Sequence, residues 1–154
     1  MSAYEYFADV RKASAKVEQC QRIINELNGG SIPPALMDGG HGSGDHSDPT
    51  AAAFFRSVYL MDQSTRQRDV CTVIIGEALQ LIAALRTTFG DKADVLELYY
   101  IDLHTWRDIA EQFGIAESTA RMWRDDLFLH IDTHPNAYIM AATYEDISLD
   151  VIRG

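Results

Sequence analysis

From Pro49 to Gly90 the chain carries one internal glycine, Gly76, and no further proline. A run this free of breakers restricts the fold sharply, because irregular connections between elements are normally short and punctuated. Phe54/Phe55, Val58 and Met61, then Val70, Ile74, Ala78, Leu81, Leu85 and Phe89, recur at three- and four-residue spacing. That is the period of one helical stripe. A helix of about 40 residues extends roughly 60 Å. Asp48 is a good N-cap and Pro49 a good first-turn residue, since its missing amide costs nothing there. The polar stretch Asp62–Asp69 (DQSTRQRD) weakens the stripe, so a bend or a solvent-exposed segment is expected at that point.

A second breaker-free stretch covers residues 2–28. Ser2 and Glu5 have the spacing of a capping box. Phe7, Val10, Ala13, Val17, Cys20, Ile24 and Leu27 line one face, and Gly29 is placed for a left-handed C-cap. Between the two stretches, residues 29–48 hold six glycines and two prolines in 20 positions, which reads as loop. Two long helices joined by a loop suggest an antiparallel hairpin over residues 1–90.

After Gly90 the helices shorten. Asp91–Tyr100 reads as one helix, with Val95, Leu96, Leu98 and Tyr99 apolar. Thr105 caps the next, Asp108 stands at its capping-box position, Ile109, Ala110 and Phe113 form the inner face, and Gly114 ends it. The third runs Glu117–Ile131 with Ala120, Trp123, Leu127 and Phe128 inward, before Thr133-His134-Pro135. The tail, residues 133–154, has enough apolar residues for a docking helix or an oligomer contact. The fold class expected is therefore all-α.

Composition narrows the functions. The 154 residues carry 13 Lys+Arg against 23 Asp+Glu, a formal charge of −10, which excludes bulk electrostatic capture of nucleic acid or anionic membrane. No secretory signal is expected at the N-terminus, nor a membrane span, because the apolar runs are interrupted. Cys20 and Cys71 lie outside any C-x-x-C pattern and read as small buried hydrophobes in a reducing, cytoplasmic setting. His41, Asp45, His46 and Asp48 contain metal-ligating types, but a glycine-rich loop preorganises them poorly. GHGSGD lacks the Gly-Lys-Ser/Thr of a phosphate loop, and neither a nucleophile elbow nor a zincin helix is present. No metal, no cofactor and no enzymatic activity are expected.

The most specific signal lies in residues 91–132. Two helices meet at Phe113-Gly114-Ile115-Ala116, a short glycine-containing turn of the helix-turn-helix kind. Ala110 is small enough for close approach and Ile115 fills the space beneath the turn. The segment LELYYIDLHTWRDIAEQFGIAESTARMWRDDLF resembles the helix-turn-helix of sigma factor region 4, carried by Leu96, Leu98, Tyr100, Thr105, Trp106, Ile109, Ala110, Gly114, Ile115, Thr119 and Arg121. With the two preceding helices and the GSGDHSDPTAAA loop end, the layout over residues 4–131 resembles phage and prophage late-gene regulators of the ArpU-like and RinA-like kind. The resemblance is tight only over residues 96–128. It implies sequence-specific binding of double-stranded DNA and transcription control.

On that reading the N-terminal half of the third helix enters the major groove. Glu117, Ser118, Arg121 and Met122 face outward, Arg121 for guanine and Glu117 for cytosine. Arg107, Thr119 and Arg124 would position the phosphate backbone. Trp106 reads as a packing residue. Two departures stand against the resemblance. Ala116 replaces the Ser or Thr cap, and residues 91–132 carry four basic against ten acidic side chains. The alternative is an acidic protein-interaction module that binds RNA polymerase or mimics DNA toward another basic nucleic-acid enzyme. The long helices offer more apolar stripe than two can cover, so a homodimer or higher assembly through them is expected. Basic residues on the long helices (Arg11, Lys12, Lys16, Arg22, Arg56, Arg66 and Arg68) form either a second contact surface or simply solvated faces.

Overall fold

The computed structural model describes residues 1–29 and 49–138, and among these the chain is all-α. Helix α1 spans Ala3–Asn28 and α2 spans Pro49–Phe89. A 3₁₀ turn, Gly90–Ala93, leads into the short α3, Asp94–Leu96, which passes into a π-helical turn, Glu97–Ile101. Helices α4, Trp106–Phe113, and α5, Glu117–Thr133, complete the order.

The capping box at the start of α1 is present: the Ser2 amide donates to Glu5 Oε2 at 2.9 Å, and the Glu5 amide donates to Ser2 Oγ at 3.2 Å. Gly29 departs from expectation. It stays right-handed at φ −75°, its amide bonding back to Asn25 as a further turn of the same helix would. Among the described residues the left-handed glycines are Gly90 and Gly114, where the chain turns after α2 and after α4.

Helices α1 and α2 run antiparallel: Tyr6, early in α1, lies near Glu77, whereas Cys20, later in α1, lies near the earlier Gln67. Cys20 Sγ lies 3.8 Å from Gln67 Oε1, and Arg68 donates to Gln21 Oε1 at 3.3 Å. The helix runs unbroken through Asp62–Asp69, which is partly exposed as expected (Asp62, Arg66 and Asp69) and partly used in packing: Ser64 is buried, Gln67 and Arg68 cross to α1, and Arg66 pairs with Asp62. Cys71, Ile74, Ala78, Leu81, Ile82 and Leu85 form the buried stripe of α2. Both cysteines are free and buried, and burial pushes the Cys71 thiol up to about 11. The helical run Thr50–Ile101 contains an 18-residue window with mean hydropathy 1.5, long and apolar enough by composition to cross a membrane, a test that the core helix of a soluble protein also passes. One third of that window is buried within the protein.

The N-terminal half of α1 buries two faces, not the single stripe the spacing suggested. Phe7, Val10 and Ala13 are joined by Ala3, Tyr6, Asp9 and Ser14, because α5 and the π turn pack across the side that α2 leaves open. Phe7 stacks on Phe128 at 5.3 Å and tilts against Tyr100 at 5.4 Å. The amide of Ala3 donates to Asp132 at 2.8 Å, which sets a carboxylate from the end of α5 against the positive end of α1. Arg86 near the end of α2 bonds Asp94 and Glu97. Leu81, Ile82 and Leu85 share one core with Ala93, Val95, Leu96, Tyr100 and Ile131, so packing continues without a break across the 90/91 boundary drawn from the sequence.

The other end of α2 differs. Phe54, Phe55 and Val58, expected on the inner stripe, are exposed together with Tyr59. The segment Asp91–Tyr100, expected as a plain helix, is instead 3₁₀, α and π in succession. Asp48, the loop residues His41, Asp45 and His46, and tail residues 139–154 lie outside the described residues. Of the tail, Tyr138 reaches back to His130 at 3.1 Å.

Candidate nucleic-acid interface

The unit α4–turn–α5 is built by local chemistry. Thr105 is extended at φ −77°, ψ 158°, and its Oγ1 accepts the Asp108 amide at 3.1 Å. This satisfies one of the orphan donors of the first turn. At the other end Gly114 adopts φ 66°, ψ 36°, and the Ile115 amide reaches the Ala110 carbonyl at 3.0 Å. That six-residue closure is a Schellman cap, and it allows α5 to start two residues later. Ala116 occupies the N-cap of α5 with suitable backbone angles, φ −75° and ψ 151°, but makes no side-chain bond.

Glu117, Ser118, Arg121 and Met122 are all exposed, as the helical spacing required, and Arg107 is exposed on α4; Thr119 is half-buried. Every arginine of this unit, and Lys92 in the 3₁₀ turn before it, already has an internal partner. Arg107 pairs with Glu111 and Arg121 with Glu117, each at 3.5 Å and each four residues along the helix. Lys92 stands 5.6 Å over the Trp123 ring. Arg124 bonds Asp125 at 2.9 Å and lies 5.1 Å over the Trp106 ring.

These pairs are not equivalent. The first two are exposed single-turn pairs, worth about 0.3–0.5 kcal/mol, whereas a bidentate arginine–guanine contact discriminates by about 1–3 kcal/mol. Releasing Arg121 is therefore cheap. Arg124 is different: its side chain is 19% exposed and packed between a ring and a carboxylate. Of the expected backbone contacts it is the one that must give up the most packing to reach a phosphate. Helical arithmetic carried the signal, since Arg124 falls four residues after buried Ala120 and three before buried Leu127.

Arg124 belongs to a four-layer ladder that the sequence did not reveal. The Arg11 guanidinium lies 3.9 Å over Tyr99, Tyr99 stacks on Trp106 at 4.2 Å, and Arg124 lies over Trp106. Arg11 also donates to the Tyr99 carbonyl. The π turn places Tyr99 in this stack, while its neighbour Tyr100 is buried on the core side and pushed up to about 12 by that burial. Trp106 is thus a packing residue, as expected, and Arg11 is drawn into the fold rather than offered as a second contact surface.

The outward face of α5 carries Ser118, Met122, Asp125, Asp126 and Leu129. Met122 and Leu129 are 53% and 64% exposed. Leu129 was not anticipated as a site residue. Asp102, at the end of the π turn, has its carboxyl raised by burial and by Glu97. No group of three or more metal-ligating side chains occurs among the described residues. No family model, curated protein or solved structure matches the chain.

Proposed function

We propose that the protein is a DNA-binding transcription regulator: a long helical hairpin carrying a sigma region 4-like helix-turn-helix, with α5 as its reading helix. The observation that carries this reading is the Thr105–Gly114–Ala116 frame, which caps α4, reverses the chain through a left-handed glycine and leaves Glu117, Ser118, Arg121 and Met122 of α5 exposed. Ser118, Arg121 and Met122 are then the base-facing residues and Arg107 a phosphate contact, with Glu117 releasing Arg121 to accept from cytosine. The resemblance to ArpU-like and RinA-like regulators supports control of phage late genes as the setting.

The test is selection of duplexes from a random library, followed by anisotropy titration of the enriched duplex at two salt concentrations. Arg121→Ala weakens binding at least tenfold, about 1.4 kcal/mol, and relaxes one base position. Arg107→Ala weakens it more evenly across sequences and flattens the salt slope. Failure to enrich any duplex at low salt overturns the reading.

One observation favours a second reading. Met122 and Leu129 stand exposed beside Asp125 and Asp126, a pattern suited to an apolar strip with a basic rim on another protein. RNA polymerase, or another basic nucleic-acid enzyme, has that chemistry. Under this reading Met122→Glu with Leu129→Glu abolishes capture of purified polymerase while Arg121→Ala leaves it intact.

A further inference from the structure

We infer that the N-terminal end of α2, exposed among the described residues, is a self-association surface and that its occupant is the same end of a second copy of this chain. The register set by Cys20 with Gln67 and Gln21 with Arg68 places the end of α1 opposite residue ~60 of α2. About eleven residues of α2, roughly 16 Å, therefore run past the helix that covers the rest. No residue before Ser64 in α2 is buried among those described. Phe54, Phe55, Val58 and Tyr59 are exposed on this overhang by 64%, 68%, 51% and 66%. They form two rows at i, i+4 spacing, Phe54 with Val58 and Phe55 with Tyr59. Such ridges interdigitate with an identical set on a facing helix.

Two features point to a second copy. The first is charge. In a chain of net −10, residues 49–61 contain Arg56 as their one charged side chain, so two copies can meet there without the repulsion that opposes contact elsewhere. The second is area. Aromatic side chains bury about 150–250 Å² each, so three of them two-thirds exposed, with Val58, offer roughly 400 Å² per protomer. Doubled in a two-fold contact, this reaches about 800 Å², the scale of a weak, reversible interface. Burial on a second copy also gives this short unsupported stretch the tertiary packing on which helices of such length depend. The association does not require α5 to read DNA.

Sedimentation and light scattering on the full chain across a dilution series, from tens of micromolar downward, test the inference. The mass falls reversibly from dimer to monomer on dilution. Phe55→Glu with Val58→Glu keeps the chain monomeric throughout, with helical circular dichroism unchanged. Val73→Glu, equally exposed but alongside the covered part of α2, leaves the dimer intact. If the double variant loses helix, Phe55→Ser alone must weaken association at least tenfold. A wild-type chain that is monomeric at every concentration overturns the inference, as does an assembly larger than a dimer, or a Val73→Glu effect as large as that of the overhang variants.

Discussion

The two ends of the long helix pair are made of similar residues and do opposite things. Where α1 begins and α2 ends, Phe7, Tyr6 and Tyr100 are enclosed by α5, the π turn and α2. Where α2 begins, Phe54, Phe55 and Tyr59 have no comparable cover among the described residues. Aromatic content and helical spacing are alike at the two ends, so neither decides burial. What differs is the number of elements that converge. An amphipathic stripe says that a helix wants a partner; it does not say that the partner is present in the same chain.

The largest effect expected from this contrast is in core truncation. Phe7→Ala removes a fully buried ring that stacks on Phe128 and costs about 3–5 kcal/mol in urea or thermal unfolding. Phe55→Ala changes the stability of the monomer by less than about 0.5 kcal/mol. Equal effects from the two substitutions would break the contrast. Alkaline pH provides a second separation. Burial pushes Tyr6 and Tyr100 up from an ordinary 10.0 to about 12. A raised folded-state value means that the stabilisation is fully present below pH 10 and is lost as pH rises toward 12, and both groups sit at the enclosed end. Hydrogen exchange across that range should open α5 and the start of α1 before the exposed end of α2 changes its rate.

Smaller effects isolate the α4–α5 turn. Gly114→Ala meets open space, so its expected cost of about 1–2 kcal/mol reflects the left-handed backbone and nothing else. Ala116→Ser supplies the missing N-cap of α5 and raises stability by about 1 kcal/mol, measured by thermal melting. The smallest effect is at the capping box. Bonds from the Ser2 amide, then its hydroxyl, hold the Glu5 carboxyl below its ordinary 4.5. That stabilisation is complete above pH 4.5 and disappears as pH falls through the lowered value, so Glu5→Gln flattens the acid limb slightly and leaves neutral stability almost unchanged.

Much of this architecture was legible in the residues. The capping box, the Thr105 cap, the glycine turn and the start of α2 at Pro49 are local, and local chemistry specifies them. The second buried face of α1 was not, because Ala3, Tyr6, Asp9 and Ser14 become interior only when α5 folds back across them. Gly29 and Gly114 show the same limit. Each follows a helix, yet only Gly114 is left-handed; the amide of Ile115 after it closes onto the Ala110 carbonyl, while the amide of Gly29 bonds back to Asn25. Of the candidate site, the exposed residues of α5 followed from spacing. Arg124 was read from its charge, although its position in the helix already put it toward the inner side. The π turn left no mark in the sequence that spacing could read, since its extra residue per turn shifts Tyr99 and Tyr100 without altering composition.

The ladder of Arg11, Tyr99, Trp106 and Arg124 draws on four segments of the chain, and each layer holds the next by the flat face of a ring or a guanidinium. Flat faces resist shear poorly one at a time, but four in series fix an angle. Loosening any one layer therefore reaches α1, the π turn, α4 and α5 together.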